Sequence, residues 1–256
     1  MTNIFDSHAH YDARHFSEDC DELLASLPER GVRFVLSAAD TLASAKRAIA
    51  LTERYDYIYC SAGIHPHNAK DAPANMEAQI CEIVKSSPRV RALGEAGLDY
   101  HYDFSPRERQ IEVFERQLSL ASELNLPIIV HDREAHADTL RLLKKYRPKG
   151  VVHCYSGSAE MARELIEIGL YIGFTGVVTF PSAKKVAVAA ASVPLNRLLV
   201  ETDCPYMAPV PNRGKRCDSS MLVYTIESLA GIKGIEPQDL ADITCQNACE
   251  LFGIES

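Results

Sequence analysis

The sequence predicts an α/β protein folded as a (β/α)8 TIM barrel. Eight short apolar segments alternate with longer amphipathic segments, which is the pattern of a parallel barrel. The length of 256 residues suits one such unit, so we expect a single domain over 1–256. No glycine-rich fingerprint follows the first apolar segment, where a nucleotide-binding open sheet would carry its phosphate loop. The barrel is therefore favoured over a doubly wound sheet.

The predicted strands are short, apolar and bounded by Gly, Pro or polar residues, as expected of parallel strands buried on both faces. Their spacing leaves room for one helix between each strand and the next. In order, the eight predicted strands are 4–8, 34–38, 58–64, 90–95, 127–131, 151–153, 171–174 and 198–203.

Helical patterns fill the intervals between these strands. The clearest helix starts with Ser105 as its N-cap, Pro106 in its first position and Glu108 three residues after the cap. An apolar stripe at helical spacing over 111–121 lets this helix pack on the sheet, and Asn125 ends it. The other predicted helices are 19–29, 42–55, 76–85, 135–146, 159–168, 183–191, 220–230 and 237–251.

Composition excludes several classes of protein. The chain is 46% hydrophobic and 24% charged, so it can form a core and is not mainly disordered. No apolar run approaches the ~18 residues that cross a bilayer, so we expect no membrane segment. The net charge of −8 argues against bulk electrostatic coating of nucleic acid, but it leaves room for a local basic site.

The cysteines and the first residues indicate the compartment. None of the 8 cysteines forms a Cys-x-x-Cys pair, and most lie in apolar or helical contexts typical of buried free thiols. No basic segment followed by an apolar stretch opens the sequence, so no secretory signal is visible. We therefore expect a cytoplasmic protein.

Imidazoles and carboxylates follow five of the predicted strands. Catalytic residues of such barrels lie at the C-terminal ends of the strands, and packing alone gives no reason to end five core strands this way. A lone His-x-His would be weak support, but residues i and i+2 of a strand point the same way and can bind one ion. The six side chains are His8, His10, Glu95, His131, His153 and Asp203.

Six ligands exceed the three that a tetrahedral catalytic ion commonly uses, so we expect two divalent ions. A natural division assigns His8, His10 and Asp203 to one ion, His131 and His153 to the other, and Glu95 to both. Two ions about 3.5–4 Å apart can stabilise a displacement at phosphorus. Asp203 can also receive the proton of the attacking water as a general base, and with Glu95 it is our candidate catalytic pair. Histidine ligands suit zinc, whereas carboxylates suit magnesium or manganese.

Six motifs occur in order between residue 4 and about residue 252. They are DSHAH at 6–10, GIHPH at 63–67, GEAGLDY at 94–100, VHDREAH at 130–136, HCYSG at 153–157 and ETDCP at 201–205. As a set they resemble the motifs of the TatD-like family of metal-dependent deoxyribonucleases, which belong to the amidohydrolase-type barrels.

The resemblance implies a TIM barrel, a divalent-metal centre and hydrolysis of DNA phosphodiesters, often as a 3′-to-5′ exonuclease on single strands. The family's ligand positions match the same six residues. Ala96, Tyr155 and Cys204 differ from the residues common in the family, but none of these differences removes a ligand. After residue 216 the family usually has Asn-Glu-Pro, whereas this chain has Cys-Asp-Ser at 217–219, which changes how that loop would hold substrate.

Substrate contacts are expected near the metal ligands. His65 follows the third strand, and its position and the resemblance favour a phosphate contact over a loop cap; for His67 the two roles are equally plausible. Arg213, Lys215 and Arg216 lie on the loop after Asp203. Such charge runs are commonly solvated, but Gly214 permits close approach to a phosphate, and an Arg213 guanidinium can bind two oxygens at once. We expect these three cations to bind the nucleic-acid backbone.

Other residues near the strand ends have less specific roles. Asp99 and Tyr100 can orient ligands or substrate, although helix capping explains Asp99 equally well. We expect Glu201 to hydrogen-bond to a ligand rather than to bind metal. The remaining assignments are base stacking by Tyr11 and Phe104, and structural roles for His15, His101 and His136.

The leading hypothesis is a two-metal hydrolase that cleaves DNA at ends or in single strands and acts as a monomer. A second reading is hydrolysis of an amide, a lactone or an aminoacyl-tRNA ester, because the same metals can polarise a carbonyl. Glu95 stands where many such barrels have a carboxylated lysine, which favours phosphoester chemistry. A barrel that binds metal or nucleic acid without turnover is the third reading, and a scaffold would not need so many ligands.

Overall fold

A computed structural model describes residues 1–255 and confirms the (β/α)8 class. Its eight strands are all parallel and lie in the order β1 to β8, each hydrogen-bonded to the next. The strands are β1 Ile4–Ala9, β2 Val32–Ser37, β3 Ile58–Ala62, β4 Val90–Asp99, β5 Ile128–Arg133, β6 Gly150–Val152, β7 Tyr171–Phe174 and β8 Leu198–Val200.

The first and last strands close the ring just beyond the end of β8. Ala9 and Cys204 form a parallel bridge, and the backbone N–H of His10 donates to the carbonyl of Cys204 at 2.8 Å. The backbone N–H of Asp203 donates to the carbonyl of His8 at 2.9 Å. The hydrogen bonds that close the barrel therefore also hold three candidate ligands next to one another.

Helices follow the strands and cover the outside of the barrel. The α-helices in the described residues are α1 Cys20–Ser26, α2 Leu42–Thr52, α3 Met76–Ser86, α4 Arg107–Leu124, α5 His136–Tyr146, α6 Ala159–Glu167, α7 Lys184–Ser192, α8 Leu222–Lys233 and α9 Pro237–Phe252. None of them is long and apolar enough to cross a membrane. Short 3-10 turns at Pro28–Arg30, Pro66–Asp71 and Ser219–Met221 shorten or precede the neighbouring helices.

One end of the barrel interior is filled by apolar side chains. Each strand contributes one of them, and α9 packs Phe252 against this layer from below. The eight inward residues are Phe5, Leu36, Tyr59, Ala92, Ile129, Val151, Tyr171 and Leu199. This layer seals the N-terminal end of the barrel, so polar chemistry is confined to the opposite end.

Two strands carry bulges next to candidate ligands. Between Leu93 and Ala96, β4 has two residues where β5 has only Ile129, and Glu95 is one of them. Between Asp6 and Ala9, β1 likewise has two residues where β2 has one. A bulge changes the direction of the side chains that follow it, so the regular alternation of a strand does not apply here.

Several predicted boundaries were wrong. β4 and β5 run past their predicted ends to Asp99 and Arg133, whereas β8 stops at Val200. Ser105 does not cap α4, which has Pro106 at its N-cap. The Ser105 hydroxyl donates instead to the carbonyl of His67 at 2.9 Å and ties two loops together.

Close packing of β4 against β5 requires a glycine at 97. Gly97 has φ of +151°, and a Cβ there would overlap the carbonyl oxygen of His131 on β5. We expect Gly97→Ala to lower the free energy of unfolding by about 2–4 kcal/mol, because one of two packed backbones must move. Urea denaturation measures this.

Gly231→Ala is the matched control, since no atom lies within 4 Å of a Cβ at this helical position. That variant should be neutral or stabilised by about 0.5–1 kcal/mol. Equal stability of the two variants would contradict the packing argument.

Candidate metal centre

The six side chains predicted from the strand ends converge at the C-terminal end of the barrel. Glu95 lies in the middle, with 3% of its surface exposed, and its two carboxylate oxygens face different groups of imidazoles. His65, which was predicted as a substrate contact, belongs to the same cluster.

One carboxylate oxygen of Glu95 faces the pair from β1. The Oε2 atom lies 3.3 Å from His8 Nε2 and 3.6 Å from His10 Nε2. Asp203 completes this side, with its Oδ1 atom 3.3 Å from His10 Nε2 and 3.6 Å from His8 Nε2. Two imidazoles and two carboxylates therefore point at one small volume.

The other oxygen faces the imidazoles of the third, fifth and sixth strand ends. The Oε1 atom lies 2.7 Å from His131 Nδ1, 2.7 Å from His153 Nε2 and 3.3 Å from His65 Nε2. His65, Glu95 and His131 are compact enough to bind a common ion. His153 lies near both groups, because its ring stacks on His8 with centroids 3.9 Å apart.

The donor set fits divalent metal. His8 Nε2 and His10 Nε2 lie 3.1 Å apart, and His131 Nδ1 and His153 Nε2 lie 3.3 Å apart. Nitrogens that face each other this closely, all directed at one carboxylate, are suited to shared cations rather than to hydrogen bonds alone. His8, Glu95 and His10 form a second compact group, and His8, His153 and Asp203 form a third.

Both carboxylates are held ionised by their neighbours. Burial raises the pKa of Glu95, but the charges of His153, His65 and His8 lower it well below its usual range. Burial likewise raises the pKa of Asp203, but the hydrogen bond from His10 and nearby imidazoles bring it below normal. Two anionic groups therefore face the ligand nitrogens at neutral pH.

The imidazoles divide into two classes. Burial lowers the pKa of His10, but Asp203 and Glu95 outweigh burial and raise this pKa to about 10. Burial also lowers the pKa of His131, but Asp99 and Glu95 raise it to about 9. For His8 burial dominates and lowers the pKa to about 4. His65 behaves as His8 does, with a pKa also lowered to about 4.

Asp99 orients two of the imidazoles. Its Oδ2 atom accepts from His67 Nε2 at 2.8 Å and from His131 Nε2 at 3.2 Å. Its Oδ1 atom accepts the backbone N–H groups of His101 and Tyr102 in a turn, and no helix begins there, so the alternative of helix capping was wrong. Carboxylates that receive the second nitrogen of a histidine fix its ring orientation.

Glu201 supports the centre from inside the barrel. It accepts from the Ser7 hydroxyl at 3.2 Å and from the backbone N–H of Cys154, next to His153. Its Oε1 atom is 3.8 Å from His153 Nδ1, which is too long for the hydrogen bond to a ligand that the sequence predicted. Burial raises the pKa of Glu201 to about 7.

Among the residues that the structure describes, those of the basic loop after β8 do not line the cavity. The Arg216 guanidinium makes a two-pronged ion pair with Asp19, and Arg213 lies over the Phe180 ring at 4.5 Å. The Lys215 ammonium donates to Asn212 at 3.1 Å. Backbone binding by these three cations stays a prediction.

Other cations and aromatic residues line the cavity instead, and sequence reasoning missed most of them. The cavity above the cluster has a volume of about 740 Å³. Arg47, Arg133, Tyr102 and Tyr206 line it together with Phe104. Arg47 lies on α2 and Arg133 ends β5, whereas Tyr102, Phe104 and Tyr206 lie in the loops after β4 and β8, where single aromatic residues carry no motif.

Tyr11 was wrongly predicted to stack on bases. Only 2% of its surface is exposed, and its hydroxyl donates to or accepts from Ser219 at 2.7 Å within the core. The structural role predicted for His136 agrees with its contact to Asp132 at 2.8 Å at the start of α5. His101 pairs with Glu134 at the surface, and His15 is exposed.

Comparison with known proteins agrees with this fold and with a metal-dependent hydrolase. A family model described as TatD related DNase matches residues 5–253. The uncharacterized metal-dependent hydrolase YabD of Bacillus subtilis is 40% identical, with 98% of this chain and 99% of that protein aligned. The 3′-5′ ssDNA/RNA exonuclease TatD of Citrobacter rodentium is 34% identical, with 98% of each chain aligned.

A solved structure extends the likeness to three dimensions. YjjV, a TatD homologue from Escherichia coli K12, superposes with a TM-score of 0.93 at 30% identity, covering 99% of each chain. With a matching family model and relatives aligned over almost their full length, the chain belongs to the TatD family of metal-dependent hydrolases.

Proposed function

We propose that the protein is a two-metal nuclease that hydrolyses single-stranded DNA, or DNA ends, from the 3′ end. The observation that carries the proposal is the Glu95 carboxylate, whose oxygens face His8 and His10 on one side and His131, His153 and His65 on the other. A single carboxylate between two sets of nitrogens is suited to bridging two ions. The polarity and the substrate are inferred from the relative named as a 3′-5′ ssDNA/RNA exonuclease.

His8, His10 and Asp203 would hold one ion, and His131 and His153 the other, with Glu95 shared. His65 is added to the ligands predicted from the sequence. Its Nε2 atom lies 3.3 Å from Glu95 Oε1, beside His131, so it belongs with the second ion. Divalent ions in such sites supply positive charge to a phosphoryl oxygen and acidify water. The chain contributes the positions of the ligands and a cavity closed at its base.

The protein's own residues account for proton transfer and substrate orientation. Asp203 Oδ1 lies at the edge of the cluster with 14% of its side chain exposed, so it can accept the proton of an attacking water. The water oxygen would then bond to phosphorus as its proton passes to Asp203, and the P–O3′ bond would break. The leaving 3′-oxygen would take up a proton from solvent, so that the shortened strand has a 3′-hydroxyl and the released nucleotide keeps a 5′-phosphate. Arg133 lines the cavity and provides charge for a neighbouring phosphate, whereas Arg47 lines it but is paired with Asp12 at 2.8 Å.

Glu95→Gln tests the bridging carboxylate. We expect metal content to fall from about two ions per chain to one or fewer, and nuclease activity to fall by about a thousandfold, because a neutral amide cannot bridge two cations. Elemental analysis and degradation of a 3′-labelled single strand with Zn²⁺, Mn²⁺ or Mg²⁺ measure these two quantities.

Glu134→Gln is the matched control. It makes the same chemical change on an exposed loop, where Glu134 pairs with His101. Wild-type metal content and activity in Glu95→Gln would refute the assignment. Cyclic amides and lactones are assayed in parallel with DNA. Cleavage of the amides or lactones without cleavage of DNA would contradict phosphoester hydrolysis.

Metal affinity should depend on pH. In the metal-free protein the pKa values of His10 and His131 are raised to about 10 and about 9, so both rings are positively charged imidazolium groups at pH 7. Binding requires neutral imidazole, so it releases protons, and apparent affinity rises as the pH increases from 6 towards 9. Titration calorimetry in buffers of different ionisation enthalpy counts the protons; an affinity for Zn²⁺ independent of pH would contradict this prediction.

A further inference from the structure

Two exposed aromatic rings stand side by side at the rim of the cavity. Tyr102 and Phe104 expose 47% and 56% of their surface, and their rings are stacked with centroids 5.2 Å apart and planes 20° apart. Adjoining apolar side chains that are exposed to solvent commonly mark a binding site. Both rings line the cavity that contains the metal cluster.

The pair is connected to the cluster through one histidine. The His67 ring lies edge-on to Phe104 at 4.8 Å and to Tyr102 at 5.4 Å. His67 in turn contacts the His65 ring at 4.3 Å, and His65 reaches Glu95. Phe104 is therefore connected to Glu95 through the contacts of two histidine rings.

The loop that carries the rings is bonded to the end of β4 and the start of α4. Asp99 accepts the backbone N–H of Tyr102, and Asp103 forms a two-pronged pair with Arg107 on α4. The Arg133 guanidinium lies 4.8 Å from the centroid of Tyr102. Arg133 and Phe104 both contact the Tyr102 ring, and Phe104 is the more exposed of the two aromatic residues.

We propose that Phe104, backed by Tyr102 and Arg133, is a stacking site for the base adjacent to the scissile phosphodiester. The proposal rests on the nuclease function proposed above and names how that site recognises its substrate. Stacking on an aromatic ring tolerates any base, because every base has a π face. A protein of net charge −8 gains little from bulk attraction to phosphates, so binding depends on local contacts of this kind.

Stacking also selects the form of nucleic acid. In a duplex both faces of a base are covered by its neighbours, whereas an unpaired terminal base can leave the stack and lie on a protein ring. The site therefore favours single strands and frayed ends over intact duplex, without reading sequence.

The absence of tryptophan from the sequence allows a direct test. Phe104→Trp introduces a single tryptophan at the site, and its emission is followed as the metal-loaded protein is titrated with an eight-residue phosphorothioate oligo(dT), which resists cleavage. The comparison ligand is an abasic phosphorothioate strand of the same length, which keeps the backbone and lacks the bases. Tyr55→Trp, just before β3 at the opposite end of the barrel, is the control.

We expect oligo(dT) to quench Phe104→Trp and the abasic strand to leave its emission nearly constant, with no change in Tyr55→Trp. In a second measurement, the Tyr102→Ala/Phe104→Ala variant should lose about five- to a hundredfold in the ratio of kcat/KM for oligo(dT) to kcat/KM for the abasic strand. Tyr102→Phe/Phe104→Tyr should retain the wild-type ratio.

The outcomes separate the two proposals. Equal quenching by both strands, or an unchanged ratio in the double alanine variant, overturns base stacking while strand hydrolysis by the wild type keeps the nuclease function. Failure of the wild type to hydrolyse either strand with any divalent ion overturns the nuclease function and, because it rests on that function, the proposed stacking site at Phe104.

Discussion

A buried carboxylate surrounded by imidazoles is the constraint on which this structure depends. Glu95 has almost no contact with water, and burial alone would make its ionised form costly. The imidazoles around it offset that cost, since His131 donates a hydrogen bond to its Oε1 atom at 2.7 Å and His153 Nε2 lies at the same distance from that oxygen. The arrangement is therefore stable only if several strands deliver these groups together, and a closed parallel barrel does this because its strand ends form one ring.

The barrel fulfils this requirement through local irregularity. Regular strands would send alternate side chains to opposite faces, but bulges at His8 and Glu95 change the direction of the side chains that follow. Gly97 lets β4 approach the β5 backbone beside His131, and hydrogen bonds across the seam hold Asp203 against β1. The same features that distort the sheet thus position the ligands.

Much of this architecture could be predicted from the sequence. Short apolar strands and amphipathic helices indicated the barrel, and a histidine or an acid after five strands indicated where polar groups would meet. Bulges could not be predicted, because their register depends on the neighbouring strand. The burial of Tyr11 depends on a hydroxyl contact with Ser219, and the position of Arg216 on an ion pair with Asp19, about 200 residues away in sequence. Such contacts leave no local pattern.

The distribution of charge connects the centre to its substrate. Several acidic residues that contribute to the net charge of −8 lie at the mouth of the barrel, where they attract cations rather than phosphate. Two divalent ions would bring the formal charge from −8 to −4 and reverse the local field at that mouth. Phosphates would then be drawn to the centre and to Arg133 beside it, while Arg216 stays paired with Asp19 outside the cavity. A protein that works as proposed would hold the end of a strand through the metal centre and one stacked base.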